Sequence, residues 1–425
     1  MKIFLDSVGC RLNQSEIEQF GRQFRAAGHT LVGSAAEADL VVVNTCAVTA
    51  AASSDSRSRV RQAARLGGAG IAVTGCWATL EPAAAAGLPG VTHVVGNLRK
   101  DSLVADVLGV PAEVFDLEPL AREPLPGLHL RTRAFIKVQD GCDNHCTFCV
   151  TRIARGPGRS RSLEEILSDV NGALAGGAQE VVLTGVHLGS WGQDFSASAH
   201  LYDLVRILLE RTETPRLRLS SLEPWDLDER FFSLWEDPRL CRHLHLPLQS
   251  GCADTLRRMA RNTTPDAYAR LLEQARRTAP EMAITTDVIV GFPGESEAEF
   301  AQSLDFVQKM NFSGGHVFSY SPRSGTPAVK LPGGVASAVK KQRSAAMRAA
   351  FAETAANYAR QFVGSELEVL WESSDSYGPD GWRMHGLSDN YLRVSSTAPE
   401  KLWNRVNRVR IETVEGEGLR GQIVN

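Results

Sequence analysis

The 425-residue sequence has no run of roughly 18 or more strongly apolar residues, the length a bilayer-spanning helix needs. Its opening apolar stretch, Ile3 to Leu5, is cut short by Asp6 and is too brief for a secretory core. A membrane-spanning helix is therefore excluded, no signal peptide is visible, and the cytoplasm is the expected compartment. Charge of one sign is equally lacking: 46 Lys and Arg stand against 49 Asp and Glu, a net of −3. Bulk attraction to nucleic acid is thus absent, and RNA contact would have to come from local patches. There is no internal repeat and no low-complexity tract beyond Ala and Gly enrichment. A content of 43% hydrophobic and 22% charged residues excludes a disordered chain. Disulfides are not expected in a reducing compartment, so the eight cysteines need another explanation.

What is present is an alternation of short apolar runs and helical patterns, over a length that suggests about three units. Ile3 to Leu5, Leu40 to Val43, Ile71 to Val73 and Val94 to Val95 read as buried strands of a parallel α/β sheet filling residues 1–110. The first helix spans Gln14 to Ala27, with Asn13 as N-cap and Gly28 just past its end. Residues 111–127 are proline-rich without a period and read as a linker. From 128 to 363 six strand patterns (Phe135–Val138, Val181–Thr184, Leu217–Ser220, His243–Pro247, Ile284–Val290, His316–Tyr320) alternate with helices, which suggests a partial (β/α)6 barrel. A long Ala-rich helix from Ser337 to Phe362 closes it. Residues 364–425 change to short β-like runs, Leu367–Trp371, Tyr391–Val394, Val409–Thr413 and Leu419–Val424, as in a small all-β barrel.

Six cysteines fall into two sets of three. Cys142, Cys146 and Cys149 form CxxxCxxC directly after a strand, and three soft thiolates in one tight loop suit three irons of a 4Fe-4S cube. Zinc is the alternative, with His145 as a fourth ligand, but structural zinc motifs usually pair two CxxC units. Cys10, Cys46 and Cys76 are distant in sequence, yet each lies just past a parallel strand, where loops converge on one crevice. Against the reading of ordinary buried cysteines, three at matching positions point to a second cluster. Cys241 and Cys252 lack such partners and read as core.

CxxxCxxC with aromatic Phe148 before the last cysteine, the upstream three-cysteine domain and the terminal β-module together resemble the radical S-adenosylmethionine (SAM) methylthiotransferases over nearly the whole length. The resemblance implies an N-terminal methylthiotransferase domain, a radical SAM domain and a C-terminal TRAM domain that contacts substrate. It implies that Cys142, Cys146 and Cys149 hold the radical cluster and Cys10, Cys46 and Cys76 an auxiliary 4Fe-4S cluster. SAM then serves twice, as radical source and as methyl donor. Loop segments after the barrel strands match the family pattern too. They make Thr184, Gly185, Glu223, Gln249, Asp287 and Gly291, with Phe148, the candidates for cofactor binding: the glycines allow close backbone approach, and Glu223 and Gln249 are suited to polar groups of SAM. Ordinary turns and caps are the competing reading for each.

GCRLNQSE, LTGVHLGSWG and SSLEP resemble the type that acts on N6-threonylcarbamoyladenosine in tRNA. The implied reaction places a methylthio group on C2 of that nucleoside at position 37, beside the anticodon. Implied partners are a tRNA anticodon stem-loop, a reductant such as flavodoxin or ferredoxin, and a sulfur donor. Arg152, Arg155, Arg159 and Arg161 follow the radical loop, and Arg57, Arg59, Arg61 and Arg65 follow Cys46; the first group is the expected RNA-binding patch. From Gly364 on, ten Asp and Glu outnumber seven Lys and Arg, which would suit a basic ribosomal protein instead. Arg393, Lys401, Arg405, Arg408 and Arg410, however, cluster late in that module. The other readings are methylthiolation of isopentenyladenosine in tRNA, methylthiolation of a ribosomal-protein aspartate, and a non-catalytic iron–sulfur or zinc RNA-binding protein.

Overall fold

A computed structural model describes residues 1–111, 115 and 132–424. The expected linker 111–127 lies outside the described residues except for Pro111 and Phe115.

The first unit is a five-stranded parallel sheet of order β2-β1-β3-β4-β5, with β1 Lys2–Ser7, β2 Thr30–Leu31, β3 Leu40–Thr45, β4 Gly70–Gly75 and β5 Val91–Val95. Every residue of the central β3, LVVVNT, is buried, as expected of a strand covered on both faces. Helix α1, Arg11–Ala26, covers one face with Leu12, Ile17, Phe20 and Phe24 at helical spacing. It begins three residues earlier than expected, with Cys10 at its N-cap, and Gly28 (φ 78°) follows its C-terminus as expected. Asn13 is therefore not the cap. It is buried in the first turn, and its amide donates to the carbonyls of Val8 and Thr45. Helix α2, Ala50–Leu66, covers the other face.

The second unit contains β6 Arg133–Lys137, β7 Gln139–Asp140, β8 Arg159–Ser160, β9 Glu180–Thr184, β10 Leu217–Leu219, β11 His243–His245, β12 Ala283–Val290 and β13 Gly314–Ser319. Two parallel triplets, β10-β9-β6 and β11-β12-β13, are joined by the bridges Leu217–Leu240 and Ser221–His245 into a six-stranded partial barrel. β6 and β13 are its two open edges. Helix α1 packs against β6, where Ser15 Oγ accepts from the Lys137 amide at 3.1 Å and Arg22 pairs with Asp169 at 3.0 Å. The long helix spans Ser337–Arg360.

The third unit is a closed barrel of order β14-β15-β16-β18-β17, formed by β14 Glu366–Gly378, β15 Gly381–Ser388, β16 Arg393–Ala398, β17 Val406–Glu415 and β18 Gly418–Val424. Closure leaves no long unpaired edge. Its interior holds Val369, Trp371, Met384, Val394, Val409, Ile411 and Leu419, and Tyr358 of the long helix and Phe362 just past its end cover it. β15, GWRMHGLS, carries no apolar run and was not among the expected strands. The turn Ser388–Leu392 is bolted to the second unit. Arg218 donates to the carbonyls of Ser388 and Asp389, and Arg242 pairs with Asp389 at 2.6 Å. Beneath these bonds Glu180 pairs with Arg218 at 2.6 Å and with Arg216 at 2.8 Å, all three buried.

Candidate functional site: two thiol triads and a cavity between their loops

Cys10, Cys46 and Cys76 come together at the C-terminal ends of β1, β3 and β4. A side chain at Gly9 would place its Cβ 2.7 Å from Cys46 Sγ, and Cys46 is close enough to feel the charges of both Cys10 and Cys76. Burial pushes the Cys46 thiol up to about 11. Neighbouring amides orient the set: Cys10 Sγ donates to Asn13 Oδ1 at 3.8 Å, and Asn97 Nδ2 donates to Cys76 Sγ at 3.7 Å. Gly75, directly before Cys76, has φ 96°, and a Cβ there would lie 2.2 Å from the Thr45 carbonyl oxygen. Only glycine turns the chain there without collision.

Cys142, Cys146 and Cys149 occupy the loop between β7 and the short helix Thr151–Arg155. Gly141, with φ 71°, permits the turn into it; a Cβ would meet the Pro157 carbonyl oxygen at 1.8 Å. Around the thiols stand polar side chains. Arg261 Nη1 donates to Cys146 Sγ at 3.6 Å and is itself clasped by Glu223, at 2.6 and 3.1 Å. Burial, against the Arg261 charge, leaves the Cys146 thiol at about 11. Although burial opposes it, bonds to Asp226, 2.8 Å away, and to Cys142 raise His187 to about 10. His145 lies against Arg152, at 2.5 Å. Among the described residues no three of His, Cys, Asp or Glu converge tightly enough for a single metal ion. A cubane spreads its thiolates wider than one ion does, and three soft donors per loop fit the three protein-held irons of such a cluster.

One cavity is walled by both triads' loops. Val48 and Thr49 line it from beyond Cys46, Phe148 to Thr151 from the second loop, and Gln249, Asp287, Ile289 and Phe318–Ser321, at and just past the end of β13, from the barrel. Arg323, also in the wall, pins the Cys46 loop through the carbonyls of Ala47 and Thr49 and through Ser53 Oγ. Burial would raise the Asp287 carboxyl, but bonds from His245 and His316 hold it well below the usual carboxylate range. Of the candidates for cofactor binding, Phe148, Gln249 and Asp287 meet here. Glu223 stands instead beside Cys146 through Arg261. Thr184 is buried at the end of β9. The close approaches expected at Gly185 and Gly291 are taken by protein atoms, the Gln139 side chain and the Lys340 methylenes.

The sequence places this architecture among known proteins. Residues 2–96 match the profile described as Uncharacterized protein family UPF0004, and residues 136–307 match the Radical SAM superfamily. The Threonylcarbamoyladenosine tRNA methylthiotransferase MtaB of Bacillus subtilis (strain 168) is 34% identical over 95% of this chain and 92% of its own. The protein of that name from Thermotoga maritima is 35% identical, over 98% and 95%. The chain belongs to the radical SAM methylthiotransferase family. The B. subtilis tRNA-2-methylthio-N(6)-dimethylallyladenosine synthase is more distant, 28% identical over 100% of this chain and 86% of its own. Among solved structures, the radical SAM methyltransferase TsrM from Kitasatospora setae superposes with TM-score 0.57 over 88% of this chain and 79% of its own, at 16% identity, a likeness of fold.

As a radical SAM methylthiotransferase the protein works with SAM and two 4Fe-4S clusters, and no helix among its described residues is long and apolar enough to cross a membrane. Its expected RNA patch needs correction. Arg155 is 2% exposed and donates to Glu16, Asp140 and Asn13 at 2.9 to 3.0 Å, so it is unavailable to phosphate. Arg161 is committed to Asp169 at 2.7 Å. Arg152 is exposed near the loop, Arg159 is half-buried and lies 3.9 Å from Asp140, and on α2 Arg61 and Arg65 are exposed without a counter-ion among the described residues. In the terminal barrel Arg405 pairs with Glu400 and Arg410 with Glu366, so the acids there partly mask the late basic cluster. Arg261, His187, Arg323 and the Glu16–Lys100 pair were not anticipated. Each pairs with a residue remote in sequence, so spacing carries no signal for them.

Proposed function

We propose that this enzyme methylthiolates C2 of N6-threonylcarbamoyladenosine at position 37 of tRNA, using 1–110, 128–363 and 364–425 as its working units. The observation that carries the reading is the single cavity walled by the loops of both thiol triads. Near-full-length identity to two enzymes named for that nucleoside, above the 28% to the B. subtilis dimethylallyl enzyme, supports the substrate. Cys142, Cys146 and Cys149 would hold the radical cluster, and Cys10, Cys46 and Cys76 the auxiliary one. When bound, these groups supply the hydrogen-abstracting radical and the sulfur that an unactivated aromatic C–H requires.

The chain itself contributes placement and dryness. Phe148, Val48 and Ile289 give the cavity apolar walls that keep water from a reactive site. Phe318, 38% exposed at the mouth, offers a face on which a base would stack. Gln249 and Asp287 present polar atoms to a bound cofactor or nucleoside. Arg152, Arg159, Arg61 and Arg65 would meet phosphates around the entrance. The working compartment is the cytoplasm, where thiols stay reduced and a flavodoxin or ferredoxin and a sulfur donor are at hand.

The test is mass spectrometry of nucleosides from an anticodon stem-loop carrying threonylcarbamoyladenosine, incubated anaerobically with reconstituted protein, SAM, sulfide and reductant. The 2-methylthio nucleoside is expected, and Cys146→Ala and Cys46→Ala should each abolish it. SAM cleavage with unchanged nucleoside would overturn the substrate.

A further inference from the structure

Arg11, the residue after Cys10, opens α1 and is half-buried. Its guanidinium donates to the Tyr391 hydroxyl and lies 5.7 Å from that ring's centre. It has no carboxylate partner among the described residues. Other guanidinium groups near the two triads are committed: Arg155 to Glu16 and Asp140, Arg261 to Glu223, Arg323 to the Cys46 loop. A half-buried cation whose partner is a neutral phenol lacks the charge compensation that such groups normally have. The Tyr391 hydroxyl accepts from Arg11 and still has its own proton to give.

Tyr391 also ties Arg11 to the cavity. Its ring stacks on His243 at 4.0 Å and 6°. His243 and His245 both bond Thr285 Oγ1, at 3.0 and 2.9 Å, and Asp287 is 3.3 Å from His245 and 3.1 Å from His316. Asp287 lines the cavity. From Asp287 in the cavity wall, polar contacts thus run along β11 and β12, through the buried His243, to Tyr391 and Arg11. Threonylcarbamoyladenosine, unlike an isopentenyl or unmodified adenosine, carries on N6 a chain that ends in a free carboxylate. With C2 at the cavity, that chain would have to reach beyond the cavity wall toward Arg11 and Tyr391.

Resting on the reading of function above, we propose that Arg11, assisted by the Tyr391 hydroxyl, is the specificity residue for the N6 substituent: together they hold its carboxylate. The test compares two anticodon stem-loops, one with threonylcarbamoyladenosine and one with its carboxamide analogue, using wild type, Arg11→Gln and Arg11→Lys. Iron content and the cluster EPR signals of each variant are recorded, because Arg11 adjoins Cys10. Wild type should prefer the carboxylate RNA by about 10- to 100-fold in kcat/KM, the range of a charge-assisted contact. Arg11→Gln should lose that preference, mostly through KM for the carboxylate RNA, with a much smaller loss on the carboxamide RNA and clusters intact, and Arg11→Lys should keep part of it. Should Arg11→Gln load its clusters poorly, the Lys variant decides, since a point charge without the planar fork must discriminate less than wild type. A full preference retained in the variants overturns the assignment. So does an equal loss on both RNAs, which would mark a backbone-phosphate contact. If wild type converts neither RNA while cleaving SAM, the functional reading fails with it.

Discussion

Glu16→Gln is the substitution whose consequence can be worked furthest from the structure. Glu16 and Lys100 are each 1% exposed and 2.6 Å apart, and Arg155 reaches the same carboxylate from the second unit at 3.0 Å. Although burial opposes it, Arg155, Lys100 and Lys137 hold the Glu16 carboxyl well below its ordinary range, so the charged form is the one folded around. The amide keeps the shape and removes the charge. Arg155 retains Asp140, but Lys100 is left as a buried cation with no counter-ion, and it will shed its proton instead. Neutralising a lysine of ordinary pKa near 10.5 at pH 7 costs at most about 5 kcal/mol, and breaking a buried pair typically costs about 3–5 kcal/mol. Hydrogen exchange of α1 and of residues 97–108 should accelerate roughly 10²- to 10³-fold over wild type at pH 7. The sign with pH follows. In the variant Lys100 binds fewer protons folded than unfolded, so folding strengthens as pH rises, by about 1.4 kcal/mol per unit. The gap to wild type should narrow roughly tenfold per unit toward pH 9, and Lys100→Met in the same chain should restore most of the protection. An exchange difference within threefold, or one that does not change with pH, would refute the reasoning.

Glu180 is held at about 2 by Arg218 and Arg216 against its burial. Its contribution, about 3 kcal/mol, is full above pH about 4.5 and is lost as pH falls toward 2. Thermal melts of Glu180→Gln should show lower stability than wild type at pH 7 and a shallower decline across that acid window. Arg323→Ala removes charged bonds on the Cys46 loop that are worth about 1.5–3 kcal/mol. Exchange in residues 46–53 should rise tenfold or more while β1 stays unchanged. Gly75→Ala drives a Cβ against the Thr45 backbone, and the cluster proposed for Cys10, Cys46 and Cys76 should fail to load. Reconstituted iron should fall from about eight to about four per chain, with the signal of the Cys142 loop retained.

Most strands of the first two units, though not the two-residue β2, β7 and β8, were legible because parallel strands covered on both faces write themselves as short apolar runs, LVVV at 40–43 being the clearest. The chemistry was legible for a related reason. In each set, cysteines follow the C-terminal ends of strands, and Gly9, Gly75 and Gly141, each immediately before a cysteine, all take positive φ. What stayed hidden has partners far away in sequence. Asn13 looked like a helix cap because its short amide suits that role, but a bond between loops claims it. Arg155 looked like one of four solvent-facing basic residues. Its sequence neighbourhood carries no sign that Glu16, 139 positions earlier, folds against it. β15 escaped because its place in a closed barrel is set by pairing with β14 and β16 on both sides, which lets a strand of mixed polarity survive.

The hidden residues are also the ones that join the units. Arg155 leaves the radical loop's helix and ends on Glu16 and Asn13 of α1, and Asn13 Oδ1 accepts from Cys10 as well. Arg323 leaves the barrel and ends on the loop of Cys46. Asn97, which faces Cys76, donates to the Ala154 carbonyl beside Arg155. Each cysteine of the first triad is thus held in part by the unit that carries the second. The separation between the triads is therefore fixed by side-chain bonds across the interface as much as by either sheet. Two reactive centres that must act on one atom of one base need that separation constant, because small displacements of reacting groups cost orders of magnitude in rate. Variants at these joints should lower methylthiolation more than they lower SAM cleavage, which on the proposed assignment needs the second triad alone.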